Sequence, residues 1–171
     1  MADQSPPAQG AVQRGPGQAP AAAWGRSDTA LFGVAVTTMV AIAVQFALAG
    51  FGAFTMDKTP TDNAYGAHAV LGTVIAVLTL VVLITTLAGR SARAHSRTLW
   101  LAVALAVLAI AVQPVLGSTG QKVPFLGALH GLNAVIIFAL TGWLTRETAR
   151  RRAAARGPGD AALPGAGSRP A

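Results

Sequence analysis

The stretch AYGAHAVLGTVIAVLTLVVLITTLA, Ala64 to Ala88, decides the fold. It holds no Asp, Glu, Lys or Arg and is apolar almost throughout, and a helix needs roughly 20 such residues to cross a bilayer. Three other stretches meet the same requirement: Thr29 to Phe54, Leu99 to Leu116, and PFLGALHGLNAVIIFALTGWLT from Pro124 to Thr145. The expected class is all-α, an integral membrane four-helix bundle, with spans at about 29–54, 64–88, 99–116 and 124–145 forming one domain over 28–146. Residues 1–27 and 147–171 lie outside it.

The whole chain agrees with that reading. Of its 171 residues 53% are hydrophobic and only 11% charged, with mean hydropathy +0.52, which excludes an ordinary soluble domain. Residues 1–27, rich in Pro, Ala, Gly and Gln, lack apolar periodicity and cannot offset chain entropy by burial, so they read as a disordered tail. Beyond Thr145 the chain is first basic (RETARRRAAAR), then a second disordered Gly/Pro/Ala tail. Ala47-Leu48-Ala49 resembles a signal-peptide cleavage site, but the apolar run before it is longer than a secretory h-region.

Charge placement gives an orientation. The net charge is +7, yet eleven of the thirteen Lys and Arg sit in the two tails and the second loop, leaving Lys58 and Lys122 in the first and third loops. A positive-inside distribution then puts both termini in the cytoplasm. It also reads the Arg150 to Arg152 cluster as an anchor to anionic lipid rather than a nucleic-acid site. Trp24, Trp100 and Trp143 fall at the cytoplasmic ends of spans, and Tyr65 at an outer end, where interfacial aromatics belong. His95, among the arginines of the second loop, reads as an exposed loop residue.

Local signals mark the span ends. Asp28 or Thr29 can cap the first helix, Thr61, Asp62 and Asn63 the second, and Gly89 suits the end of the second. Pro114 and Gly117 are expected to close the third helix, and Pro124 suits the first turn of the fourth.

Two ionisable side chains lie inside the spans. Placing one in hydrocarbon costs at least ~2.5 kcal/mol, so such residues face the bundle interior and have partners. His68 and His130 lie early in spans two and four, and Gln45 and Gln113 lie late in spans one and three, so all four share one depth in the outer half. Their faces agree: His68, Gly72, Ile75, Thr79 and Thr86 follow helical spacing, as do Gly127, His130, Ala134 and Thr141. Thr38, Ala41, Gln45, Ala49 and Gly52 on span one, and Ala102, Ala106, Ala109, Gln113 and Gly117 on span three, complete a small and polar lining.

Three readings of this layer stand side by side. It is a structural hydrogen-bond cluster; or His68 and His130 are axial ligands to a haem iron, with the macrocycle in the space left by Gly72, Gly127 and Gly131; or it is a quinone or other small-molecule site. Cysteine is absent, so thiolate metal sites, disulfides and catalytic thiols are excluded. No carboxylate lies within a span, which argues against an ion transporter.

His68 with Gly72, Gln113 with Gly117 and Gly120, and His130 with Asn133 and Ala134 carry a resemblance to one four-helix half of the haem A synthase family, over residues 29 to 146. The chain also resembles small four-helix membrane proteins of high-GC Gram-positive bacteria. The synthase resemblance implies a b-type haem held by His68 and His130; on that reading Gln45 and Gln113 are hydrogen-bond partners of the ligands or contacts to the haem propionates. It implies electron transfer or haem handling rather than oxygen activation, since both axial positions are filled. The family's acidic residue three positions before the first histidine is Tyr65 here, and its loop cysteine pair is missing, so its hydroxylation chemistry does not carry over. The implied partners are the lipid bilayer and either a second copy of the chain or a respiratory-chain protein.

Overall fold

The computed structural model describes residues 25–58, 64–89 and 96–156. Most of the first tail, 1–24 with Trp24, the end of the second, 157–171, His95 and the capping residues Thr61, Asp62 and Asn63 lie outside the described residues. Four helices follow in chain order: α1 (Arg26–Lys58), α2 (Gly66–Ala88), α3 (Ser96–Gly120) and α4 (Pro124–Arg156). Each is long and apolar enough to cross a membrane. They run up, down, up and down, with each packed on its chain neighbour and α1 closing the ring against α4.

The apolar content is turned outward. Val40, Phe51, Val70, Ile84, Val107, Val135 and Ile136 are exposed, while the interior is narrow and built from small or hydroxylated side chains. Thr38, Thr79, Thr86, Thr98 and Thr141 are fully buried, together with Ala35, Ala102, Leu105, Val82 and Leu144. Without a hydrophobic drive between helices in lipid, close packing of small residues holds such a bundle together. The buried hydroxyls cost little because most bond within their own helix. Thr38 donates to Val34 O at 2.8 Å, Thr86 to Val82 O at 2.7 Å and Thr141 to Ile137 O at 2.8 Å.

Pro114 does not end the third helix. α3 runs through it to Gly120 by widening into a π turn at Val107–Val112, where the Gln113 N–H bonds to Leu108 O. A proline inside a helix clashes with the carbonyl four residues back, and a wider turn removes that clash. The fourth helix also outruns its apolar span by three turns. Ala and Arg favour helix, and the Glu147–Arg151 ion pair at 2.9 Å braces the extension. At the start of α1, Asp28 accepts from the Gly25 N–H at 2.9 Å, and α2 ends where Gly89 N–H meets Thr85 O at 3.0 Å.

The two ends of the bundle differ. One end gathers Asp28, Arg97 stacked 4.2 Å over the Trp143 ring, and Arg151 bonded to Thr98 Oγ1 at 2.8 Å. The other end holds the histidines.

Candidate functional site

Gln45 and Gln113 are delivered by α1 and α3, and His68 and His130 by α2 and α4, and the fold brings all four into one layer. Within each hairpin the pair is joined twice. Gln45 Nε2 donates to His68 O at 2.8 Å, and His68 Nδ1 donates to Gln45 O at 3.3 Å. Gln113 Nε2 donates to His130 O at 3.3 Å, and His130 Nδ1 donates to Gln113 O at 3.1 Å. A carbonyl can only accept, so each Nδ1 carries a proton, and in the neutral form of either ring the lone pair is on Nε2. That of His130 lies 3.4 Å from the Gln113 amide nitrogen. Across the hairpins the two imidazole rings stand 6.2 Å apart between centroids, with planes inclined at 59°. The Tyr65 ring meets His68 edge-on at 6.1 Å.

The likeness of the hairpins extends along the bundle. On α2 the buried Ile75, Thr79, Val82 and Thr86 correspond to Ile137, Thr141, Leu144 and Thr148 on α4, at equal distances from their histidines. On α1 and α3, Leu31, Ala35, Thr38 and Ile42 correspond in burial to Thr98, Ala102, Leu105 and Ala109. Here 98 − 31, 102 − 35, 105 − 38 and 109 − 42 all give 67, whereas 113 − 45 gives 68. The additional residue falls in the π turn, which sets Gln113 in the position that Gln45 takes on a regular helix.

The glycines lie in different surroundings. A Cβ on Gly72 would stand 3.2 Å from Gln45 Nε2, so this glycine makes room for the amide. Gly127 packs against the backbone of Gly120, and Gly117 lies under the His130 ring. Gly131 and Gly66 face open space.

Asn133 is a member of the site that periodicity did not single out. It is buried, and its amide donates to both Gln113 Oε1 and, at 3.2 Å, the Leu108 carbonyl within the π turn. Three residues beyond His68 the first hairpin has Leu71 instead, which has no donor. Gln45 Oε1 is consequently buried with no hydrogen-bond partner. A cavity of about 40 Å³ between the hairpins is lined by Gln45, Gly72 and Ile75 from one and Gln113, Ala134 and Ile137 from the other. It has room for a water molecule and nothing much larger.

Among the described residues no group of three His, Asp or Glu gathers to hold a bare ion. Two imidazoles could serve a metal only within a ligand that supplies its remaining donors. No family model matches the chain, and no curated protein or solved structure matches it either.

Proposed function

We propose that the chain is a multi-pass membrane protein, with both termini cytoplasmic, that holds a b-type haem through His68 and His130 for electron transfer or haem handling. The observation that carries this reading is the matched fixing of the two rings. Each Nδ1–H is tied to a helix carbonyl on its own hairpin, the arrangement that orients a metal-ligating histidine and leaves Nε2 as the donor. The two rings are also neighbours across the hairpins, with centroids 6.2 Å apart.

The donors fit the group better than the space beneath them does. The cavity of about 40 Å³ admits no macrocycle, so a haem held by His68 and His130 would have to occupy space outside it. A haem held by His68 and His130 would supply one-electron exchange at iron. Gln45 and Gln113 hold the imidazoles in register. The resemblance to half of haem A synthase supports the same ligand pair.

The small cavity favours a second reading, a structural layer in which the Gln–His pairs only specify helix packing in a non-catalytic accessory protein. One preparation separates the two. Protein purified from haem-replete cells is expected to show a Soret band and a reduced-minus-oxidised α band, lost in His68→Ala and in His130→Ala. A colourless wild-type preparation, with His68→Gln/His130→Gln unchanged in abundance and thermal stability, establishes the structural layer instead.

A further inference from the structure

We propose that the groove between α4 and α1 at the arginine-rich end is a binding site for one anionic phospholipid. The proposal rests on reading the helices as membrane spans and is independent of haem. The groove has a volume of about 520 Å³, within the ~300–1,000 Å³ of sites that enclose a small molecule. Its floor is apolar: Met39 from α1, with Phe138 and Gly142 from α4. Its rim toward the end of the bundle carries Arg146 and Arg150. Phe138, Gly142, Arg146 and Arg150 follow one another at four-residue steps, so a single stripe of α4 passes from apolar to cationic.

That gradient matches the chemistry of a phospholipid, an acyl chain below a phosphate. Three other cations at this end are already engaged. Arg151 pairs with Glu147 and Thr98, Arg97 lies on Trp143, and Arg152 lies 5.3 Å over the Phe32 ring. Arg146 and Arg150 are exposed and meet no carboxylate among the described residues, and the one carboxylate in the groove, Glu147, is held by Arg151. The chain's own tails do not complement this rim: residues 1–24 carry one Asp and one Arg, and so do residues 157–171. A basic pocket between membrane helices, at the level of the headgroups, is suited to anionic lipid.

The test is native mass spectrometry of the full-length protein in detergent, titrated with dioleoylphosphatidylglycerol or dioleoylphosphatidylcholine. One phosphatidylglycerol is expected to bind in preference to phosphatidylcholine. Arg146→Gln/Arg150→Gln is expected to weaken it roughly tenfold or more, whereas Arg26→Gln/Arg156→Gln, which removes the same charge outside the groove, leaves it unchanged. Gly142→Leu keeps every charge and fills the floor. Its Cβ has room, with Met39 Sδ the nearest atom at 3.8 Å, so the variant is expected to fold and to lose the lipid. Equal losses in the two double variants, equal binding of the two lipids, or binding only after removal of residues 1–24 would each overturn the proposal. Recovery of every variant in the membrane fraction separates such a failure from a failure of the membrane reading.

Discussion

Asn133 donates to the side-chain carbonyl of Gln113, and Leu71 occupies the corresponding place beside Gln45. One glutamine of a matched pair is fully engaged, and the other keeps a buried acceptor with no partner. Asn133→Leu strips Gln113 Oε1 and the Leu108 carbonyl of the same donor. The expected loss is about 1 kcal/mol, the scale of an interhelical hydrogen bond in lipid. Leu71→Asn should offset part of it by reaching Gln45. Thermal unfolding in detergent measures both, and an Asn133→Leu protein as stable as wild type contradicts the assignment.

Close backbone approach at Gly120 makes a second prediction. A Cβ there would stand 2.7 Å from the Gly127 backbone, which cannot swing aside, so Gly120→Ala should destabilise by about 1–3 kcal/mol. At Gly52 the obstacle is the Tyr65 ring at 2.6 Å, which can rotate, and the loss should be smaller. Gly33→Ala meets nothing and should be neutral or stabilising by up to about 1 kcal/mol. The order of the three melting temperatures is the check.

The π turn predicts an asymmetry between α1 and α3 toward deletion. Removing Ala111 together with Pro114→Ala takes out the additional residue and leaves a regular helix, so the bundle should still assemble, losing chiefly the Asn133 bond to Leu108. Removing Ala43 from α1, where the helix is already regular, turns the following residues by about 100° and should abolish a monodisperse product. Size-exclusion profiles of the two deletions report the difference. Equal behaviour rules out the π turn as the inserted element.

Arg151 ties α4 to α3 through Thr98 while pairing with Glu147 on its own helix. Arg151→Ala should cost about 1 kcal/mol, more than Arg156→Ala at the exposed helix end, because only the former leaves the buried Thr98 without its guanidinium partner. Melting temperatures of the two variants decide it.

The spans were legible because hydrocarbon imposes a length and an apolar composition that few other structures require. The shared depth of Gln45, His68, Gln113 and His130 was legible for a related reason: alternating helix directions turn position along the chain into depth. The faces were legible too, since Thr38, Ile75, Thr79, Thr86, Ala102, Ala109 and Thr141 are buried as their spacing requires. What periodicity could not reach was the passage of α3 through Pro114, because a π turn leaves no mark in a pattern built on 3.6 residues. Asn133 lies one turn from His130 and so on its face, but it is not one of the small residues that mark the stripe through Ala134, and a lone amide does not say which partner it takes. The doubling of the hairpin did leave a signal: Ala41 to Gln45 and Ala109 to Gln113 both read AIAVQ.

A bundle assembled from two identical hairpins would be bound to build both sides alike, so any side chain suited to one half would be imposed on the other. Joining the halves in a single polypeptide lifts that obligation. Leu71 opposite Asn133 is where the freedom is used: the amide oxygen of Gln113 is locked by a donor within the fold, while that of Gln45 is left without one.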